Sequence, residues 1–381
     1  MLTALLLPVH CFVLRADEYI LVDHTCTDLG RIPAWWVDQV KSNLHVAYQH
    51  TSHGSQLVTG MTALEQFPDF GSAFAWSDSG QPGTLDFDDD GIPGATPDLS
   101  QGDYIDGNGV TPWVTATRNL LDNPDNYHIN VIMWSWCSIN GHDISRYLTN
   151  MEILVSEYGV NGTNARAAEY PVDFVFMTGH AEGQGEGGFI YGANQQIRQH
   201  CRQKGRILFD FADIESYDPD GHYYYDLPMW DDLDYNPSRV NNWGVEWCSS
   251  NTGSQLEQLT TGNGVDGYAG CGNCAHSGSA ANPETLNCVL KGRATWWMMA
   301  RLAGWPGAPV AHATAPTNGA VEITWSSVCS GTVYEINRSS TLTGGWTNVA
   351  RITNTSGNIE AAWSEPFPTN GSAFFYRLRQ P

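Results

Sequence analysis

The stretch Leu44–Gln56, LHVAYQHTSHGSQ, decides the reading of the fold. Its first half is an alternating apolar run with β-branched and aromatic members, the pattern of a strand with a buried face. At His50-Thr51-Ser52-His53-Gly54-Ser55 the run breaks into small and polar residues, and Gln56 to Phe67 follows helical spacing. A strand that ends in a tight turn and restarts as a helix sets its turn residues at the carboxyl edge of a sheet. Open α/β folds place their chemistry there. Ser52 and Ser55 have two readings in that turn. One is the helix N-cap, a position serine favours. The other is a site serine facing a cleft, beside a helix N-terminus that favours an anion.

Downstream the same rhythm recurs. Ile129–Trp136 (INVIMWSW), Val172–Thr178 (VDFVFMT) and Arg206–Ala212 (RILFDFA) read as buried strands, with helices over 142–158 and 191–204 between them. Tyr19–Asp23 reads as an opening strand, and Ile32–Asn43, 111–122 and Leu286–Leu302 as further helices. Alternating strands and helices predict a parallel α/β sheet, so the polar turns after 50, 136, 178 and 212 share one edge. That convergence favours the site reading of Ser52. Residues 216–250 are irregular and aromatic, a candidate substrate-lining lobe or a packed subdomain, and Asp218 and Asp220 before Gly221 suggest a cation turn.

The chain has 381 residues, enough for a main domain and a smaller one. A net charge of −23 argues against nucleic acid, whose phosphates need a basic surface. Residues 1–16 resemble a signal peptide or its remnant, and no later run is long enough for a membrane span. An extracellular chain, secreted, periplasmic or at the cell surface, is therefore expected. Cleavage near Ala16 would remove Cys11 and leave Cys26, Cys137, Cys201, Cys248, Cys271, Cys274, Cys288 and Cys329 as disulfide candidates. Cys271, Cys274 and His276 also have a metal reading, but zinc usually takes a second ligand pair, and disulfides explain the cysteines better.

Residues 71–110 read as a long insertion without helical or strand periodicity. Asp86, Asp88 and Asp90 before Gly91 match the first half of a calcium loop, with Asp98 or Asp103 completing the shell. A loop of that length needs something to order it, and structural calcium is the expectation. No organic cofactor is expected.

The order of these elements resembles the SGNH (GDSL-like) hydrolase superfamily over roughly residues 18–305, and more closely a bacterial branch whose first block reads HxSxG. The resemblance implies a three-layer, flavodoxin-like parallel α/β sheet over 17–305. It also implies a nucleophilic Ser52 and a base, His276, in a block before the last helix. Asn273 stands where that block carries its aspartate. The oxyanion hole falls to Gly141 and Asn140, with His180 where the family has asparagine.

After the break at Gly304–Pro309, short alternating strands over 306–381 predict a small all-β sandwich, resembling the fibronectin type III-like modules appended to secreted enzymes. Such a module suits cell-surface anchoring or self-association. The implied function is a secreted esterase or deacetylase acting on an acylated glycan or a small ester. Two rivals remain. One is a non-catalytic structural or self-assembling binding protein held by calcium and disulfides. The other is a metal-dependent enzyme using His50, His53, His142, His180 and His276. Ser52 within hydrogen-bond reach of His276 supports the first reading; several histidines converging on one point supports the metal reading.

Overall fold

The computed structural model describes residues 19–94, 97–101, 106–107, 109–307, 311–314, 320–326, 333–341, 345–353, 360–366 and 375–379. The signal-like segment with Cys11, and also Asp103 and Cys329, lie outside them. The chain divides into two units, one holding residues 19–29 and 34–303 and the other built on Gly304–Pro381.

The first unit is wound around a seven-stranded parallel sheet, order β1-β7-β6-β5-β2-β4-β3. Its strands are β1 (Ile20–Val22), β2 (His45–Gln49), β3 (Trp76–Ser77), β4 (Leu85–Asp89), β5 (Val131–Trp134), β6 (Asp173–Met177) and β7 (Ile207–Phe209). Counted from β2, the five inner strands read 2-1-3-4-5, the flavodoxin-like winding. β5, VIMW, is buried at every position, as expected of a strand covered by helices on both faces.

Helices α1 (Ala34–Asn43), α2 (Ser55–Gln66) and α9 (Leu286–Leu302) pack together on one face of the sheet. On the other lie α3 (Pro112–Leu121), α4 (Ile144–Tyr158) and α5 (Phe189–Lys204). Local chemistry sets their ends. Asp143 caps α4 by accepting from the Arg146 N–H, and α5 stops at Gly205 in the left-handed conformation. After β7 come α6 (Phe211–Ser216), a hairpin of β8 (Asp234–Tyr235) and β9 (Asn241–Asn242), α7 (Trp243–Ser250) and α8 (Gln255–Thr261). No helix among the described residues is long and apolar enough to cross a membrane.

The stretch 71–110 corrects the sequence reading, because it supplies two strands of the sheet. Leu85 and Phe87 are wholly buried and alternate with Asp86 and Asp88, so β4 has a period of two that its carboxylates disguise.

The second unit contains two antiparallel sheets, β10 (Ala311–Thr314), β11 (Ala320–Ser326) and β14 (Glu360–Pro366) in one, and β12 (Val333–Ser339), β13 (Thr347–Thr353) and β15 (Phe375–Arg379) in the other. Val321, Ile323 and Trp325 from the first meet Tyr334 and Ile336 from the second in a single apolar cluster. This is a small all-β sandwich.

The contact between α2 and α9 positions the site, because α2 begins at the turn after β2 and α9 follows the loop of His276. Their backbones touch through two glycines. A methyl group on Gly60 would sit 1.8 Å from the Cys288 carbonyl oxygen, and one on Gly292 2.3 Å from the Gly60 carbonyl carbon. The obstacle is backbone, which no rotamer change relieves. Gly60→Ala and Gly292→Ala are each expected to cost about 2–3 kcal/mol or more, read as a lower midpoint in urea unfolding followed by circular dichroism.

Candidate functional site

Three loops at the carboxyl edge of the sheet bring three imidazoles into one stack. His53 lies in the middle, with His180 on one face at 3.6 Å between ring centroids and His276 on the other at 4.1 Å. The rings are nearly parallel, at 11° and 9°. His180 and His53 are buried, whereas His276 is exposed, so the stack runs from the interior to the surface.

His53 comes from the turn after β2. A short 3-10 turn, Ser52–Gly54, separates β2 from α2, and Gly54 packs so closely on the residues that follow β2 and β5 that a methyl there would meet His50 Cβ and Ser135 Oγ, each at 2.3 Å. The Tyr48 hydroxyl donates to the Gly54 carbonyl at 2.9 Å and fixes the turn. This geometry buries His53 and leaves Ser52 exposed. His180 follows β6, and its Nε2 lies 2.8 Å from the Cys137 carbonyl oxygen after β5. His276 has φ of +61°, a strained value for a residue with a β-carbon. The Cys274–Cys288 disulfide clips its loop to α9, and the Cys274 N–H donates to Gly278 at 2.8 Å.

A fourth residue, Asp231, completes the cluster. Its Oδ2 lies 2.7 Å from His53 Nε2, and its carbonyl accepts from Asn287 of α9. Burial would raise the Asp231 pKa, but the His53 hydrogen bond and the three neighbouring imidazoles hold it below the usual range. The carboxylate is thus ionised and accepts only, which puts the His53 proton on Nε2. His53 Nδ1 is then a bare lone pair, buried and without a hydrogen-bond partner. Burial first, with His180 and His276 alongside, drives the His53 pKa down to about 4 against the opposing pull of Asp231.

Beneath the stack runs a buried chain of hydrogen bonds. Lys291 Nζ, on α9, donates to Glu215 Oε2 at 2.7 Å and to Gln56 Oε1 at 2.5 Å. Glu215 accepts from the Ala181 N–H at 2.6 Å, and Gln56 donates to the Ala275 carbonyl at 2.5 Å. Each link is a near neighbour of a stacked histidine. Lys291 and Glu215 are wholly inaccessible, and Lys291 also lies 3.6 Å from the centre of the Phe211 ring. Burial pushes the ammonium down to about 8 and the carboxyl up, each opposed by the partner's charge.

The residues expected from sequence are placed differently. Among the described residues, Ser52 Oγ makes no hydrogen bond and none joins it to His276. The Asn273 side chain accepts from the Ala280 N–H and braces its own loop. Asn140 donates to Glu182, His180 stacks on His53, and Gly141 takes φ of +80° in the turn after β5. The expected calcium loop is largely β4. Asp86 meets His45 at 2.6 Å, Asp98 accepts from Thr51 and the Ser100 N–H, and Asp90 lies 3.3 Å from Gln49. With Asp88 these carboxylates do not gather into one ligand cluster among the described residues. Asp218 instead accepts from the Asp220 and His222 N–H groups in its own turn. His50 pairs with Asp89 at 2.5 Å, and His142 tilts against Trp136. Of the expected disulfide cysteines, Cys274 and Cys288 are joined, whereas Cys26, Cys137, Cys201, Cys248 and Cys271 are unpaired among the described residues.

Two members of this cluster have little signal in the sequence. His53 was visible only as one of several edge histidines, and Asp231 sits in the irregular aromatic stretch. No family model, no curated protein and no solved structure matches this chain.

Lys291→Met leaves Glu215 buried without its cation, and a loss of about 3–5 kcal/mol in urea-unfolding stability is expected. Adding Glu215→Gln removes the stranded charge, so the double variant loses less than the two single losses together.

Proposed function

We propose that the protein is a hydrolase of ester substrates in which His53 Nδ1 is the general base and Asp231 orients it. One observation carries the reading. A buried, unpartnered imidazole lone pair faces away from a nitrogen that is held by an ionised carboxylate. That is the arrangement a base needs, since the carboxylate fixes the tautomer and steadies the imidazolium formed when the base takes a proton. The location agrees with it. Strand order reverses between β2 and β5, and His53 follows β2 at that crevice.

The proton taken by His53 comes from the attacking group, either a water or the Ser52 hydroxyl exposed in the same turn. The resemblance to SGNH hydrolases supports an acyl ester, and an acylated glycan in particular. The second unit's resemblance to fibronectin type III-like modules supports surface anchoring of a secreted enzyme.

A second reading has one observation in its favour: single ligand atoms of His53, His180 and Asp231 all lie within 4.8 Å of one another, as a transition-metal site requires. Ring geometry weighs against it. Imidazole lone pairs lie in the ring plane, and planes 11° apart and stacked do not meet at one ion. Activity that survives exhaustive dialysis against a chelator keeps the base reading. Activity lost to the chelator and restored by zinc replaces it.

With p-nitrophenyl acetate, Asp231→Asn and His53→Ala are each expected to lower kcat/KM by about 10²–10⁴-fold. The working form of the base is neutral, so wild-type activity falls as the pH drops through about 4. A limb near 6.5, where an ordinary histidine titrates, would contradict His53 as the base. Labelling by a fluorophosphonate that disappears in Ser52→Ala assigns the nucleophile to serine, and hydrolysis without labelling assigns it to water.

A further inference from the structure

A recess opens beside β1 and β7, at the β1 margin of the sheet. It has a volume of about 390 Å³, and its walls come from the ends of those strands, from α5 and α6, and from the aromatic stretch after α6. One wall is aromatic, formed by Tyr217 and Tyr223. Tyr217 stacks on His24 with ring centroids 3.6 Å apart and planes 13° apart, and Asp213 holds His24 at 2.5 Å. Tyr223 tilts against Tyr217, and its hydroxyl donates to Glu186 at 2.8 Å.

A third phenol, Tyr225, also lines the recess and is 4% exposed, yet its hydroxyl has no hydrogen-bond partner in the protein. A buried hydroxyl left in that state is costly unless something else supplies its partner. The charges are uneven as well. Arg198 is committed to Asp210 through bonds of 2.6 and 2.8 Å, which leaves Asp23, Glu186 and the His24-bonded Asp213 against Arg202.

We propose that this recess binds one neutral sugar unit of a glycan. An aromatic wall receives the C–H face of a pyranose ring, and fixed carboxylates and phenols receive its hydroxyls. The acidic excess disfavours phosphates and uronates, and the polar walls disfavour a lipid chain. The segment that supplies Tyr217, Tyr223 and Tyr225 continues to Asp231, so one stretch of chain serves both the recess and the histidine stack. The assignment deepens the hydrolase reading by naming a neutral glycan as the substrate. It is tested as binding, so its failure is separable from a failure of the chemistry at His53.

The experiment is isothermal titration of the full chain carrying His53→Ala with cellopentaose, xylopentaose, mannopentaose and chitopentaose, and with trigalacturonic acid as the anionic control. Saturable binding of at least one neutral oligosaccharide is expected, about ten-fold or more weaker in Tyr217→Ala. Tyr225→Phe, which keeps the ring and the fold, is expected to weaken it about three- to ten-fold. Absence of binding by all four neutral oligosaccharides overturns the proposal. So does affinity unchanged in Tyr225→Phe and Tyr217→Ala, which would place the sugar elsewhere on the chain, or a preference for trigalacturonic acid.

Discussion

The ammonium of Lys291 is withdrawn completely from water beneath the edge of the sheet, and the site depends on how that charge is accommodated. A lone buried cation is untenable, so Glu215 and Gln56 must be held within hydrogen-bond distance of it. Each of those partners then fixes a different loop, Glu215 through the Ala181 N–H and Gln56 through the Ala275 carbonyl. A pair of this kind adds little net stability compared with an apolar replacement, because desolvation offsets most of the attraction. What it adds is position. The loops of His180 and His276 and the start of α2 are referred to a single atom on α9.

The stack above it follows from the same enclosure. Two imidazolium charges about 4 Å apart repel by about 4 kcal/mol at the effective dielectric of a protein surface, and by more in the interior. Neighbouring rings at 3.6 and 4.1 Å therefore disfavour charge on the middle member, His53. His53, in the middle and buried, feels both neighbours as well as the loss of water, which explains why it stays neutral although it is bonded to a carboxylate. Asp231 does not charge the ring. It fixes which nitrogen keeps the proton.

Much of the fold is legible in the sequence, because hydrophobic periodicity reports burial. The runs INVIMWSW and VDFVFMT read as buried strands, and their alternation with helices gives a parallel sheet. β4 was hidden because its outward positions are aspartates in a DxDxDG spacing, although Leu85 and Phe87 alternate beneath them. The site was legible in its location but only partly in its residues. A strand, a polar turn and a helix announce an edge. Whether Ser52 or its neighbour His53 faces inward is decided by one 3-10 turn and by the contact of Gly54 with the residue that follows β5, which no local pattern encodes. Asp231 reaches His53 across 178 positions of sequence and from a segment without periodicity, so only the tertiary structure reveals it.

The segment from Tyr217 to Tyr235 explains why a chain this acidic keeps so many aromatic residues outside regular structure. It has almost no ladder of its own, only the two-residue pairing of β8 with β9 and a few isolated bridges such as Glu182 with Trp230. Its order comes from side chains. Tyr224 stacks on Trp243, Arg239 lies over Trp230, and Arg239 also pairs with Asp232 and Asp234. A wall built this way can present phenols on one stretch and a carboxylate on the next, because no strand period dictates which way each residue must point. Regular structure supplies the fixed edge, and the irregular segment supplies the groups that face it.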